Sequence, residues 1–212
     1  KNNMKDGDSF IHNNPYQGGT HLPDITIITP IFINNSKLPN FYVASRAHHS
    51  DIGGTTPGSM PAMSKHIREE GAVFNGEKIV SKGTINEKKI ADIFKSSAYP
   101  ARDINTNMAD LSAQLAASNA GKSNIKRIVK KYGLKTVNNY MRHVKNNATK
   151  SIQNIISKLN SGTFNCNMDN GSKISLKIII DKNKKEAIFD FTGTSKQTFD
   201  NFNTPKAVTR SA

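Results

Sequence analysis

The amino-acid sequence predicts an α+β fold, with strand-forming segments at both ends of the chain and amphipathic helices between them. Three observations carry that expectation. Residues 25–32 are β-branched and almost wholly apolar. From Asn86 onward the apolar residues recur at helical spacing. From Thr163 the pattern returns to short β-rich runs separated by polar turns. Because strands and helices are grouped instead of alternating, a doubly wound parallel sheet is not expected.

The elements follow in order. Residues 25–32 read as a strand covered on both faces, and Asn34-Asn35-Ser36-Lys37 as a turn into a second strand over residues 41–44. The Gly53–Pro61 stretch holds too much glycine and proline for regular structure. On composition it suits equally an ordered loop whose backbone approaches a ligand and a plain surface linker. A short helix is expected over residues 62–70, with Gly71 as its cap. Ile90, Ile93 and Phe94 share one face of a first longer helix, Leu111, Leu115 and Ala116 of a second, and Ile125, Ile128 and Val129 of a third. Val137, Met141 and Val144 open a fourth, with a continuation through Ile152, Ile155, Ile156 and Leu159 left open. Strands are expected over residues 163–168, 173–180 and 187–191, with a turn at 181–185. No repeat or long linker divides the chain, so residues 1–212 are read as one domain: a strand and loop region (1–84), a helical region (85–160) and C-terminal strands (161–212).

At 212 residues the chain is long enough to bury a core without crosslinks, and its one cysteine, Cys166, forbids an internal disulfide, which fits a reducing cytoplasm. No segment approaches the roughly 18 consecutive apolar residues of a membrane span, and the polar opening segment does not read as a signal, so a soluble cytoplasmic protein with no membrane association is expected. The formal charge of +14 would suit a polyanionic partner. Lysine, asparagine and isoleucine are also the residues an AT-rich genome over-supplies, so charge alone does not argue for nucleic acid, which is not expected as a partner.

The chemistry concentrates in two places. Gly18-Gly19-Thr20-His21-Leu22-Pro23-Asp24 precedes the first strand, and Arg46-Ala47-His48-His49-Ser50-Asp51-Ile52-Gly53-Gly54 follows the second. If the two strands form an antiparallel hairpin, the start of one lies beside the end of the other, so His21, Asp24 and His48 meet. Two imidazoles and a carboxylate can hold zinc, manganese or iron while leaving coordination positions open. His49 and Asp51 then fall where a neighbouring group could orient a ligating imidazole or relay a proton, and they are the candidate catalytic residues.

The long string from Gly7 to Asp24 (Gly-Asp-Ser-Phe-Ile-His-Asn-Asn-Pro-Tyr-Gln-Gly-Gly-Thr-His-Leu-Pro-Asp) resembles the signature of the hydantoinase B/oxoprolinase family. Residues 46–61 continue the resemblance. Asp110-Leu111-Ser112-Ala113-Gln114-Leu115-Ala116-Ala117 and Asp190-Phe191-Thr192-Gly193-Thr194-Ser195-Lys196-Gln197 follow in the family's order, with Asn203, Pro205 and Ala207 after them. The resemblance implies an incomplete hydantoinase B-like domain, because such chains are more than twice this length; a fragment, a split-gene product or a truncated relic is expected. It also implies a divalent metal on His21, Asp24 and His48, substrate contacts from Gly53, Gly54, Thr194 and Ser195, and a small cyclic amide substrate such as 5-oxoproline or a hydantoin. ATP would be used by an A-type partner subunit and not bound here. An acetone- or acetophenone-carboxylase-type subunit, or a degenerate fragment without activity, stand as alternatives. One departure is Asn14, where the family usually has aspartate; another is Lys196, where proline is common.

Three further patterns carry less. Residues 116–123 end in Gly121-Lys122-Ser123, but Ala116 replaces the first glycine of a P-loop and the preceding residues form a helical stripe, so ATP binding is not expected. Residues 122–145 could be read as a basic helix-turn-helix, but an ordinary solvated helix pair explains them better. Thr192-Gly193-Thr194-Ser195 could offer hydroxyls and amides to an anion, as could any tight turn.

Overall fold

The computed structural model describes residues 4–212. The chain gathers into two compact units, one formed by residues up to Arg127 together with Thr198–Ala212, the other by Ile128–Gln197.

The first unit is built on a five-stranded antiparallel sheet in the order β3-β2-β1-β4-β5. Its strands are β1 (Ser9–His12), β2 (Asp24–Ile31), β3 (Phe41–His48), β4 (Asn75–Ser81) and β5 (Thr84–Ile85). The expected β2–β3 hairpin is present, with an eight-residue register running from Asp24 opposite His48 to Ile31 opposite Phe41. Its turn passes through Asn34 and Asn35, both left-handed at φ 53° and 56°, a conformation asparagine tolerates better than other side-chain-bearing residues. Pro30 is accommodated because β1 pairs with β2 only as far as Ile28, so no neighbour on that side needs its missing N–H.

Ile11, Ile25, Ile27 and Ile79 of the sheet, with Phe74 just before β4, join a core completed by Ile90 and Phe94 of α1 (Glu87–Ser96) and by Leu111 and Leu115 of α2 (Ile104–Tyr132). The other face of β3 is open: Tyr42, Ala44, Arg46 and His48 are exposed while the residues between them are covered. A short helix, α4 (Lys206–Ser211), ends this unit.

Several elements differ from the sequence expectation. Strands β1, β4 and β5 were not legible. β4 opens on Asn75-Gly76, a pair that reads as a turn, and carries Glu77 and Lys78 in its middle. The second strand of the hairpin extends to His48, four residues beyond the expected end at Ala44. The helix expected over residues 62–70 shrinks to a single 3-10 turn, Ile67–Glu69. Side chains there take the backbone groups that a helix would use: Glu69 accepts from the Lys65 N–H (2.8 Å) and His66 from the Arg68 N–H (3.1 Å). The expected second and third helices are one continuous α2. Gly121 sits inside it because a Cβ there would lie 2.9 Å from the Val43 side chain of β3, so the residue serves close packing and does not break the helix.

The second unit holds the end of α2, helix α3 (Leu134–Ile156) and a three-stranded antiparallel sheet of β6 (Gly162–Asn167), β7 (Lys173–Asp181) and β8 (Glu186–Asp190) in that order. These strands match the expected ones within a residue or so, and α3 ends before Leu159. Only Gly133, at φ 80°, separates α2 from α3. The Gly121-Lys122-Ser123 string lies within helix, and Lys122 pairs with Asp6 (3.0 Å).

Two fully buried polar side chains hold the sheet's loops. Asn13 donates from Nδ2 to the carbonyls of Leu22 (2.8 Å) and Ala72 (2.9 Å), and accepts at Oδ1 from the Phe74 N–H (2.7 Å). Asp8 receives Lys78 Nζ (2.8 Å) and the backbone N–H groups of Lys82 and Lys5 (3.1 Å each). Burial alone would raise the Asp8 carboxyl; Lys78 and the two amides outweigh it and hold it below its ordinary value.

Asn13→Ala should cost about 3 kcal/mol, because one N–H and two carbonyls lose a buried partner; urea unfolding measures this, and a loss under about 1 kcal/mol would refute the assignment. For Asp8, the folded pKa lies below the unfolded one. Its contribution is therefore full above about pH 4 and disappears as pH falls through the folded value. Asp8→Asn should be clearly less stable than the parent chain at pH 7, with the gap narrowing as the pH drops below that range. A gap that stays constant with pH would contradict this.

Candidate metal centre

The β2–β3 register places Asp24 directly opposite His48, and the tight turn before β2, in which the Asp24 N–H bonds to the His21 carbonyl (3.1 Å), folds His21 back beside them. The three side chains converge. His48 Nδ1 lies 3.1 Å from Asp24 Oδ1, His21 Nδ1 lies 3.3 Å from Asp24 Oδ2, and His21 Nε2 lies 3.1 Å from His48 Nδ1. One ligand atom from each can be chosen so that all three lie within 4.8 Å of one another. Ligand atoms bound at about 2.0–2.2 Å around a tetrahedral or octahedral ion sit roughly 3.0–3.5 Å apart. His21 meets Asp24 through Nδ1 and His48 through Nε2, so two nitrogens and one carboxylate oxygen within 4.8 Å of one another could close on a borderline divalent cation by a turn of the His21 ring. Three protein donors on an exposed rim would leave coordination positions free.

Thr20 completes the arrangement, and sequence reasoning had not singled it out. Its hydroxyl donates to Asp24 Oδ2 at 2.7 Å, fixing the carboxylate plane. Burial would push the Asp24 carboxyl up, but the Thr20 hydrogen bond and the neighbouring His21 and His48 prevail, and it is held below the usual carboxylate range. Asp24 is therefore a charged acceptor at neutral pH, the state that metal ligation needs. The turn itself depends on close backbone packing: Gly19 lies against the Asn13 carbonyl where no Cβ would fit, and Asn13 holds the Leu22 carbonyl from beneath. Asn14, at the family's usual aspartate position, accepts from the Tyr16 N–H (2.9 Å) and donates to Asn75 (2.6 Å), so it acts as a turn residue.

His49 and Asp51 direct their hydrogen bonds elsewhere. His49 is fully buried; its Nε2 lies 3.0 Å from Gln114 Oε1 and its Nδ1 3.3 Å from Asn107 Nδ2. Because Gln114 Nε2 donates to the carbonyls of Ile25 and Ser45, its Oε1 must accept, which makes His49 the neutral imidazole protonated at Nε2. Burial lowers its pKa, in keeping with that state. His49 thus ties α2 to the hairpin that carries the cluster. Asp51 accepts from the N–H groups of Gly53 (2.9 Å), Gly58 (3.1 Å) and Arg102 (3.1 Å) and from the Arg102 guanidinium (2.7 Å). These contacts overcome the effect of burial and keep its carboxyl below the ordinary value. Gln114, Asn107 and Arg102 were missed as partners because only folding brings them across the chain.

Of the expected substrate contacts, Gly53 and Gly54 have positive φ and press against the carbonyls of Tyr99 and Glu70, in space that no Cβ could enter. Their need for glycine is explained by this packing. Thr194 and Ser195 lie in the second unit. There the Thr194 hydroxyl donates to the Ser175 carbonyl (2.9 Å) and accepts from its N–H (3.0 Å), while Ser195 accepts from the Lys173 N–H (2.8 Å), so both secure the turn after β8 to β7.

Comparison with known proteins agrees with the fold. The chain is 42% identical to 5-oxoprolinase 1 of Arabidopsis thaliana, an alignment that covers 99% of this chain and 18% of that protein. Among solved structures it matches the ATP-dependent caprolactamase of Pseudomonas jessenii with a TM-score of 0.81 at 21% identity, over 99% of this chain and 36% of that one. It also matches nucleotide-free acetone carboxylase with a TM-score of 0.79 at 17% identity, over 93% and 28%. The chain therefore spans a small part of the length of the relatives it matches. The family model for hydantoinase B/oxoprolinase matches residues 1–212, and with its signature strings in register and their histidine and aspartate side chains gathered at one sheet end, the chain belongs to the hydantoinase B/oxoprolinase family.

Proposed function

We propose that this chain forms part of the hydrolytic side of an ATP-dependent cyclic amide hydrolase of the 5-oxoprolinase or hydantoinase type. The observation that carries the reading is the convergence of His21, Asp24 and His48 at metal-ligand spacing on an open sheet end. A divalent ion there would supply a Lewis acid and an acidified water beside the substrate carbonyl. The chain's own residues prepare that position. Asp24 offers a fixed negative charge, Thr20 holds its plane, and His49, neutral and buried, keeps β2, β3 and α2 in register so that the two imidazoles stay aligned. An A-type partner would use ATP to phosphorylate the amide oxygen; water would then add to the activated carbon, the ring C–N bond would break with a proton passing to the nitrogen, and a second water would release phosphate from the acyl phosphate left behind. Asp51 and His49 act in this scheme as positioning residues, through the loop of residues 51–58 and through the hairpin. The 5-oxoprolinase relative, at 42% identity, favours lactam opening, whereas the likeness to acetone carboxylase rests on fold alone.

The protein purified with manganese or zinc should hold about one ion per chain by plasma mass spectrometry. The His21→Ala/His48→Ala double variant should hold almost none while its circular dichroism stays unchanged. A folded parent chain that retains no metal would end this reading. With metal established, addition of an A-type subunit, ATP and 5-oxoproline should release glutamate; turnover of acetone in its place would shift the assignment to carboxylation.

Thr20→Val removes the Asp24 hydrogen bond and leaves the ligands intact. Metal affinity should fall by about 10-fold or more, as loss of a ligand's outer partner usually costs. Competition against a fluorescent chelator gives the number, and an unchanged affinity would show that Thr20 has no part in the site.

A further inference from the structure

The sheet face that carries the cluster holds a second row of polar groups one step further along the strands. His12 of β1 stands opposite Thr26 of β2, and Thr26 stands opposite Arg46 of β3. Residues directly opposite in antiparallel strands project to the same face, and residues two apart on one strand share that face about 7 Å from one another. The row His12–Thr26–Arg46 therefore lies beside the pair Asp24–His48, on the same side of the sheet.

Arg46 is exposed, yet its guanidinium is anchored: Nε donates to the Thr26 hydroxyl at 3.0 Å. Among the described residues no carboxylate pairs with it, and its two terminal nitrogens make no hydrogen bond to the protein. Arg102, by contrast, has both terminal nitrogens engaged, one by Asp51 and one by the Gly54 carbonyl. A guanidinium fixed through Nε and left with free terminal N–H groups presents the planar fork that binds carboxylate or phosphate in bidentate fashion. At the far end of the row, beyond Thr26, His12 Nε2 is buried and among the described residues has no hydrogen-bond partner.

We infer that Arg46, steadied by Thr26 and flanked by His12, is the anion-binding half of the site, taking the oxyanion of the substrate while its reacting carbonyl sits at the His21–Asp24–His48 cluster. This rests on the proposed function for the identity of the reacting group, but not for the anion itself. The oxyanion is either a carboxylate carried by the cyclic amide or the phosphoryl group of its activated form, and both match the same fork. If the group held is the carboxylate, the substrate is a ring bearing a negative charge about one strand repeat from the carbonyl; if it is the phosphoryl group, the charge arrives only with activation.

The test uses the 212-residue chain, once treated with chelator and once loaded with manganese. 5-Oxoproline, its neutral analogue 2-pyrrolidinone and inorganic phosphate are titrated in separately, with calorimetry and the ring resonances of His12 as readouts. 5-Oxoproline or phosphate should bind and shift the His12 signals, and 2-pyrrolidinone should not. Selective binding of the first would identify the carboxylate as the group held, and of phosphate the phosphoryl group. Arg46→Gln should weaken the anion by at least 10-fold, and Arg46→Lys by less, with manganese content and thermal midpoint the same as the parent chain. Equal anion affinity in Arg46→Gln, equal binding of 2-pyrrolidinone, or no anion binding in either preparation would overturn the inference. Arg46-dependent binding in the chelated protein together with no manganese uptake would uphold it and remove the metal reading instead.

Discussion

The pairing of β2 with β3 is the constraint on which the candidate site depends. A register slip of one residue would send Asp24 and His48 to opposite faces, because side chains alternate along a strand. Eight consecutive pairs hold the register, and the buried isoleucines at 25, 27 and 31 penalise any slip by exposing apolar surface. The same pairing lines up Thr26 with Arg46, so the proposed metal ligands and the proposed anion fork share one geometric origin.

A strand end would still be too loose to hold a metal-ligand set without support from the core side. His49, next in sequence to His48, turns inward and is fixed by Gln114, whose amide in turn bridges Ile25 of β2 and Ser45 of β3. One buried neutral imidazole and one amide thus lock two strands to one helix. Adjacent histidines divide the work: the exposed His48 faces the cluster, and His49 holds the scaffold. Asn13 does a similar service for the turn that carries His21, and the Asp51–Arg102 pair for the glycine-rich loop. Each of these polar groups is satisfied by several partners, which is what allows charge and amide groups to be buried without a net penalty.

The hairpin, the α+β order, helices α1 and α3 and the strands of the second unit were legible from periodicity, because their apolar spacing is regular and their turns carry asparagine or glycine. Strands β1, β4 and β5 were not, since each is short or polar and is held in place by neighbours in the sheet. The apolar faces over residues 111–116 and 125–129 read as two helices; they are one, and Gly121 lies between them where α2 meets Val43. In the segment before Gly71, side-chain hydrogen bonds to the backbone won over helix formation.

The sequence by itself determined the residue types of the cluster and, through the hairpin, that His21, Asp24 and His48 should meet. Local patterning is enough for this, because an antiparallel hairpin joins residues close in sequence. Only the tertiary structure decided which neighbours serve the cluster and which serve the scaffold. His49 and Asp51 stand next to the cluster in sequence, yet their orientation is set by Gln114, Asn107 and Arg102, between 51 and 65 residues away. Long-range partners of that kind leave no periodic trace in the chain.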